Sequence, residues 1–264
     1  MISAPSCSVL VSSCDAYSDL WTPFFTLFFR HWADCPYPVF LGANQAHYDH
    51  PLVRTINAGT DESWSTNLRF FLNQLDSEYV LLVLEDFFLV NRVPTETVSE
   101  HLSKLDALGG TVLRLFPNPP PQAPVQGYAG IGRIHRCAPF RVSAQAAIWR
   151  RSALLALVRD GETAWDFERK GTLRSRSRPD GFYCTYKRIL PYVHAVEQGR
   201  WLRGAARRFG DADIGCNLEA RPVIARWPSL RKTVHSVLRN ISNRTEGLRL
   251  QSLPGGCPCR ESRS

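Results

Sequence analysis

The chain has 264 residues, of which 44% are hydrophobic and 11% aromatic, which is ample for the core of one large domain or of one domain with an appendage. No uninterrupted apolar stretch approaches about 18 residues, so the sequence predicts no transmembrane helix. The formal net charge of +8 favours anionic partners, namely nucleotide phosphates, nucleic acid or an anionic membrane surface.

The N-terminus lacks the basic segment and the long apolar run of a secretory signal peptide, which favours a cytoplasmic protein. The eight cysteines are scattered, with no pair of C-x-x-C units at zinc spacing. The sequence therefore indicates neither secretion nor a structural zinc site.

Apolar spacing in the first 90 residues alternates between the periods of strands and helices. It predicts strands over 8–12, 38–41 and 53–56, and amphipathic helices over 17–32 and 61–75. Ser12, Ser13 and Asp15 follow the first strand and are typical of a turn or a helix cap. This order predicts an α/β fold with a mostly parallel sheet flanked by helices.

The most informative part of the chain is the stretch 79–90. Its first half, from Tyr79 to Leu84, is a continuous apolar run typical of a strand buried on both faces of a parallel sheet. Glu85 and Asp86 follow directly, although ionised carboxylates are costly to bury unless they are paired, hydrogen-bonded or bound to metal. Since open α/β sheets bind ligands beyond the carboxyl ends of their strands, we expect a ligand site at these acids. A simple loop or turn is the alternative.

The second half continues the alternation. It predicts a helix over 95–108, a strand over 111–116, a proline-rich loop over 117–124, a strand turning into a helix over 140–158, a short helix from 163 and a basic loop over 174–178. The short helix carries Asp166 and Glu168 near its start. Strand-like pieces then extend to residue 201, so residues 1–203 are assigned to one α/β domain.

Residues 204–264 form a basic C-terminal extension in which arginines accumulate. Apolar residues at helical spacing, with basic residues between them, predict an amphipathic helix over 226–241 and a disordered tail after it. Such a helix either lies on an anionic membrane or is a solvated helix docked on the domain. Peripheral attachment to the inner face of the plasma membrane is therefore one of two expectations for this segment.

Three polar clusters fall at predicted strand or helix ends: residues 12–15, Glu85 with Asp86, and Asp166 with Glu168. Together they offer a helix N-terminus for phosphates, an acid pair for a divalent cation and a separate carboxylate for proton transfer. This set suits displacement at a carbon that bears a diphosphate leaving group, with Mg²⁺ or Mn²⁺ and a carboxylate base.

Five segments carry a resemblance to a known enzyme family: residues 11–19, Trp64-Ser-x-x-Leu68, 79–89, 141–149 and Ala164-Trp-Asp-Phe-Glu168. In order and spacing they resemble the small GT-A-type glycosyltransferases of bacterial surface-polysaccharide (capsule or O-antigen) biosynthesis, over roughly residues 8–203. The resemblance implies a GT-A-like catalytic domain that binds a nucleotide-diphospho-sugar, followed by the basic helical extension.

By that resemblance, Ser12, Ser13 and Asp15 lie beside the donor nucleotide, while Glu85 and Asp86 take the place of the Asp-x-Asp metal motif. We expect Asp86 to bind the metal and Glu85 to contact the ribose or a basic group. The two acids are adjacent here rather than one residue apart, and this departure from the motif argues against strict metal dependence.

Asp166 and Glu168 are the two candidates for the base of an inverting transferase, although both are also explained as acids favoured at a helix N-terminus. The candidates for contacts with the donor sugar or the acceptor are Trp64, Arg141, Gln145 and Arg174. Arg141 is equally explained by a surface ion pair, and Arg174 by a solvated loop. Trp149 and Trp165 either stack on sugar faces or belong to the core.

The sequence thus predicts transfer of a sugar from a nucleotide-diphosphate donor to a hydroxyl of a bacterial surface glycan or lipid-linked glycan, with inversion. A nucleotidyltransferase is less well supported because no glycine-rich phosphate loop follows the first strand. The alternatives from other classes are a nucleic-acid-binding protein and a catalytically inactive scaffold of a polysaccharide assembly complex. The arginines lie in the tail rather than among aromatics on a sheet face, so no nucleic acid is expected as a partner.

Overall fold

The computed structural model describes residues 5–178, 180–210 and 212–224. The strands are β1 (Cys7–Ser12), β2 (Val39–Ala43), β3 (Val53–Asn57), β4 (Tyr79–Leu84), β5 (Phe87–Leu89), β6 (Val112–Arg114), β7 (Ala123–Pro124), β8 (Ile131–Arg133), β9 (Ala147–Arg150), β10 (Phe182–Thr185), β11 (Tyr192–His194), β12 (Val196–Glu197) and β13 (Arg200–Trp201). The helices are α1 (Trp21–His31), α2 (Trp64–Asn73), α3 (Thr95–Ala107), α4 (Arg151–Leu157), α5 (Ala164–Ser175) and α6 (Arg203–Phe209). Two short 3-10 helices span Asp15–Leu20 and Leu218–Ala220.

A nine-stranded sheet in the order β3-β2-β1-β4-β9-β6-β10-β8-β7 forms the central layer. β3, β2, β1 and β4 are parallel neighbours, and β10 is parallel to β6. β9 is antiparallel to β4 and β6, and β8 is antiparallel to β10 and β7. In this sheet β9 and β8 alone oppose the common direction, so the predicted α/β class, with a mostly parallel sheet flanked by helices, is confirmed.

β4 is buried on both faces, as its apolar sequence predicts. Tyr79, Leu81 and Val83 pack into one core with apolar residues of α1 and α3. Val80 and Leu82 pack into a second core with residues of α2, α4 and α5. Because side chains alternate between the faces of a strand, both helix layers hold the strand that carries the acid pair at its end.

The register between β1 and β4 positions the polar residues that follow them. Ser12 pairs with Leu84 at the last position of the parallel ladder. The chain therefore leaves the sheet at Ser13 and at Glu85 side by side. Parallel strands that end together form one rim, where α/β sheets bind ligands.

Directly after the acids, β5 leaves the main sheet and pairs antiparallel with β11. In this register His194 is opposite Phe87, which brings a residue from late in the chain beside Asp86. The rings of Phe87 and Tyr192 stack with their centroids 4.3 Å apart. This small ribbon therefore fixes the backbone that carries Asp86.

Residues 204–210 and 212–224 of the predicted extension are described, and they pack on the α/β domain. Phe209 of α6 lies 5.3 Å from Phe88, measured between ring centroids. Arg221 donates hydrogen bonds of 2.8 and 2.6 Å to the carboxylate of Asp19. The predicted helix at 226–241 lies outside the described residues. Across the described ranges, none of the helices has the length and apolar character needed to cross a bilayer.

Three local predictions differ from the structure. The loop predicted over 117–124 ends in a short strand, β7 (Ala123–Pro124). Residues 141–146 are irregular, so the strand and helix predicted over 140–158 reduce to β9 and α4. Arg174 belongs to the last turn of α5 rather than to a basic loop. Its salt bridge of 2.7 Å with the buried Glu162 anchors that turn to the domain.

Candidate active site

A cavity of about 670 Å³ opens where β1 and β4 end, at the position predicted for a ligand site. This volume falls within the range of about 300–1,000 Å³ that small-molecule sites occupy. The predicted site residues that line it are Ser12, Ser13, Trp64, Glu85, Asp86, Gln145 and Glu168. Its other walls include Cys14, Tyr17, Asp61, Trp165 and His194.

The end of β1 contributes two hydroxyls to the cavity. Ser12 is 1% exposed, and its Oγ has no hydrogen-bond partner among the described residues. Ser13 Oγ accepts a hydrogen bond of 2.8 Å from Trp21 Nε1, which holds it at the wall. Since buried polar atoms normally have partners, Ser12 Oγ is available to an atom of a ligand.

Asp15 lies behind this wall and is not among the residues that line the cavity. Its carboxylate accepts hydrogen bonds from the amides of Asn44, Gln45 and Ala46, at 2.9, 2.9 and 3.0 Å. Burial raises the pKa of Asp15, but these amides outweigh it and hold the pKa below its ordinary value. The structure therefore gives Asp15 a supporting position, in which it ties the turn after β1 to the loop after β2.

The acid pair is largely withdrawn from water. Burial, followed by the neighbouring Asp86 carboxylate, raises the pKa of Glu85 to about 8 against the opposing effects of Arg221 and Ser13. Burial also raises the pKa of Asp86, while the hydrogen bond with His194 lowers it. Two adjacent buried carboxyls therefore do not both carry a full charge near neutral pH.

His194 is a site residue that sequence reasoning missed. Its Nδ1 lies 3.4 Å from Asp86 Oδ2, and its Nε2 lies 3.5 Å from Gln145 Nε2. The neutral tautomer with the proton on Nδ1 satisfies both contacts, because it donates to Asp86 and accepts from Gln145. Gln145 Oε1 in turn accepts a hydrogen bond from the Tyr192 hydroxyl. Hydrogen bonds thus connect Asp86 through His194 and Gln145 to the buried Tyr192. The sequence signal for this connection is a histidine in one of the last predicted strand segments.

Glu168 reaches the cavity from α5. Its Oε1 accepts hydrogen bonds of 2.8 Å from Ser143 Oγ and from the Ala144 amide. Ala144 also lines the cavity. The carboxylate is therefore oriented by the irregular segment that precedes β9.

Asp166, the other candidate base, is not among the cavity-lining residues. Its carboxylate lies 3.3 Å from Arg169 and 3.5 Å from Lys170, and its amide donates to the capping hydroxyl of Thr163. The hydrogen bond from Arg169 is the main cause that holds the pKa of Asp166 below its ordinary value. Asp166 therefore stabilises the N-terminus of α5, which is the alternative explanation that the sequence allowed for it.

The structure does not bring Arg141 or Arg174 to the cavity lining. Arg141 is 1% exposed, donates to the Ser175 carbonyl and lies 3.8 Å over the Phe182 ring. Arg174 donates two hydrogen bonds of 2.7 Å to Glu162. Both arginines join α5 to its surroundings, and this is the physical reason why neither reaches a donor sugar or an acceptor.

Asp86 offers a carboxylate inside the cavity, with Glu85 beside it, and these oxygens are the donor set for a divalent cation. Over the described ranges, no cluster of three or more His, Cys, Asp or Glu side chains is placed to hold a metal ion. Mg²⁺ is commonly held by one or two carboxylates together with substrate phosphates. The residues therefore fit Mg²⁺ or Mn²⁺ that is shared with a bound diphosphate, but not a cation held by the protein alone.

No family model matches the sequence, and no curated protein matches it. Among solved structures, residues 1–349 of S. aureus TarS in complex with UDP-GlcNAc are similar at a TM-score of 0.48 and 14% identity, covering 73% of this chain and 59% of that chain. The bifunctional IspDF from Campylobacter jejuni is similar at a TM-score of 0.41 and 10% identity, covering 72% of this chain and 52% of that chain. This chain thus covers less than two thirds of either protein, and similarities this low establish neither a ligand nor a reaction.

Proposed function

We propose that the protein is a glycosyltransferase that moves a sugar from a nucleotide-diphosphate donor to a hydroxyl of a bacterial surface glycan or lipid-linked glycan. One observation carries the proposal: strand-end hydroxyls, a buried acid pair and the separate carboxylate of Glu168 line a single cavity. Displacement of a diphosphate needs groups that bind the donor, groups that stabilise the negative charge developing on the leaving group, and a base that deprotonates the acceptor.

The donor side of the cavity is the rim formed by β1 and β4. The unpartnered hydroxyl of Ser12 donates to the donor nucleotide, and Tyr17 forms the adjoining wall. Glu85 has a raised pKa and keeps its proton near neutral pH, so it donates a hydrogen bond to a ribose hydroxyl or a phosphate oxygen. Asp86 is the residue that would hold a divalent cation, which when bound would offset the charge of the departing diphosphate.

The acceptor side contains the base. The acceptor oxygen forms a bond to the anomeric carbon while the bond between that carbon and the phosphate oxygen breaks. The electron pair of the broken bond leaves with the nucleoside diphosphate, and the proton of the acceptor hydroxyl passes to Glu168. A single displacement of this kind inverts the anomeric centre. Ser143 and Ala144 hold Oε1 of Glu168 and so leave Oε2 to meet the hydroxyl.

The test is turnover of a panel of UDP-, GDP-, CDP- and dTDP-linked sugars with and without Mn²⁺, measured as release of the nucleoside diphosphate. We expect consumption of one donor class, slow with water as acceptor, and its loss in Asp86→Ala. His47→Ala, at an exposed position outside the cavity lining, serves as the matched control and keeps the wild-type rate. Release of pyrophosphate from a nucleoside triphosphate would indicate a nucleotidyltransferase instead. No turnover of any nucleotide sugar would reject the proposal.

A further inference from the structure

Trp165 differs from the buried tryptophans of this chain. It is 53% exposed, whereas four others are at most 3% exposed: Trp21, Trp32, Trp149 and Trp201. A single exposed apolar side chain is common on protein surfaces and needs no explanation by itself. Trp165, however, lines the same cavity as Glu168. The sequence left open whether Trp149 and Trp165 stack on sugar faces or belong to the core. Trp149 belongs to the core, whereas Trp165 does not.

The rotation of α5 about its axis explains why the Trp165 ring lines the cavity. Phe167 is fully buried, and its ring lies 5.4 Å from that of Trp64 and 6.3 Å from that of Trp149. With that position anchored in the core, the residues of α5 that face the cavity are Ala164, Trp165 and Glu168. Residues three apart lie on the same face of a helix. The indole and the carboxylate are thus presented together, one helical turn apart.

The donor side already has an aromatic wall of its own. Tyr17 lies in the 3-10 helix that follows β1, and the Arg221 guanidinium sits 4.3 Å over its ring. Arg221 is itself fixed by Asp19. Tyr17 therefore adjoins the strand ends proposed for the donor, whereas Trp165 adjoins the proposed base. The cavity therefore has one aromatic residue beside the strand ends and another on the helix that carries Glu168.

A half-exposed indole in a cavity wall suits the binding of a sugar ring. A pyranose ring presents a face of C–H groups that is apolar, with hydroxyls around its edge. Aromatic side chains bury such apolar surface at low entropic cost while neighbouring polar groups bind the edge. The carboxylate of Glu168, one turn away on the same helix, lines the same cavity and can accept a hydrogen bond from such a hydroxyl.

We propose that Trp165 and Glu168 form the acceptor subsite, in which the C–H face of an acceptor pyranose stacks on the indole and the attacking hydroxyl meets the carboxylate. This rests on the proposed function and adds the class of acceptor: a sugar ring, rather than the phosphate or lipid part of a carrier, is what the protein recognises at the point of transfer.

The test is saturation-transfer NMR on the full chain with the nucleoside diphosphate bound. The probes are methyl pyranosides of glucose, galactose, mannose and N-acetylglucosamine. We expect transfer to the ring C–H protons of at least one probe, and a Kd for that probe raised roughly tenfold in Trp165→Ala, the loss expected when the apolar contact of about one sugar face is removed. Trp165→Phe should restore part of the affinity. Leu173→Ala, an exposed apolar position on the same helix and outside the cavity lining, is the matched control and should bind as wild type.

Nucleotide binding separates the possible failures. In Trp165→Ala the Kd of the nucleoside diphosphate should stay within about twofold of wild type, since the indole is assigned to the acceptor and not to the strand ends proposed for the donor. Weakened nucleotide binding with unchanged pyranoside binding would assign the ring to the donor base and overturn the subsite. Wild type that binds nucleotide but none of the pyranosides would overturn the subsite alone. Wild type that binds no nucleoside diphosphate would overturn the proposed function first.

Discussion

His194 Nδ1 lies 3.4 Å from Asp86 Oδ2, although 108 positions separate the two residues in the chain. The backbone supports the contact, because the Ala195 amide donates a 2.8 Å hydrogen bond to the Asp86 carbonyl. Pairing of β5 with β11 places His194 opposite Phe87. The orientation of the acid in the cavity therefore depends on a strand from the end of the domain.

Replacing His194 by alanine should lower the turnover of the donor sugar by about 10–100-fold, the usual cost of removing the partner that orients a functional carboxylate. His194→Asn should recover part of the rate, since its amide can still donate to Asp86. The initial rate of nucleotide release measures both. His47→Ala is the control for histidine loss. A rate in His194→Ala equal to wild type would show that the contact has no role in the site.

Glu168→Gln should lower the rate of transfer to an acceptor by about 10²–10⁴-fold, the contribution typical of a general base. Nucleoside diphosphate affinity should stay unchanged, because the residue faces the acceptor. Asp166→Asn, on the same helix but outside the cavity lining, should leave both quantities near their wild-type values. Rates at saturating donor and calorimetric binding distinguish the two variants. The opposite result, with Asp166→Asn inactive, would transfer the role of base to Asp166.

Arg141→Ala should destabilise the fold by about 3 kcal/mol or more, because a buried guanidinium and the partners it serves lose their interactions together. Urea-induced unfolding measures the change. Arg136→Ala is a matched control, since Arg136 is 40% exposed and lies 3.5 Å from the same acid, Asp180, that Arg141 approaches at 3.9 Å. The control should lose at most about 1 kcal/mol. Equal losses would contradict a core position for Arg141.

Asp15→Asn should lower the free energy of unfolding by about 1–2 kcal/mol at neutral pH. Both carboxylate oxygens of Asp15 accept from loop amides, whereas asparagine has a single acceptor oxygen and places an NH2 group against an N–H donor. The folded-state pKa of Asp15 is held below its ordinary value, so this stability is present above the unfolded pKa and is lost as the pH falls through the folded pKa. The difference between variant and wild type should therefore shrink below about pH 4. Asp49→Asn, at an exposed position in the neighbouring loop, is the control. A difference that stays constant with pH would contradict the charge-assisted contact.

The sequence predicted those parts of the site whose position follows from strand burial and strand order. A continuous apolar run followed by two acids is sufficient to recognise β4 and the position of Glu85 and Asp86. The parallel register of β1 and β4 then brings Ser12 and Ser13 to the same rim. These features depend on strand burial and sheet topology, both of which leave a signal in the sequence.

The rest depends on contacts between distant segments. His194 enters through antiparallel pairing with β5, which no spacing in the sequence announces. Arg141 is buried because Phe182 and Ser175 receive it, although an arginine of the same sequence context fits a surface ion pair equally well. Asp166 and Glu168 flank Phe167 on opposite sides of a helix, so only the packing of that phenylalanine decides which acid faces the cavity.

Thermal unfolding of the full chain with UDP, GDP, CDP and dTDP, each with and without Mn²⁺, tests most directly whether the cavity binds a nucleoside diphosphate. A ligand at about 100 times its Kd stabilises the native state by about 2.7 kcal/mol. For a chain of this size that corresponds to a rise in Tm of roughly 5–10 °C. We predict such a rise for one nucleotide, dependent on Mn²⁺ and lost in Asp86→Ala. The absence of any rise across the panel, with or without Mn²⁺, would contradict the account.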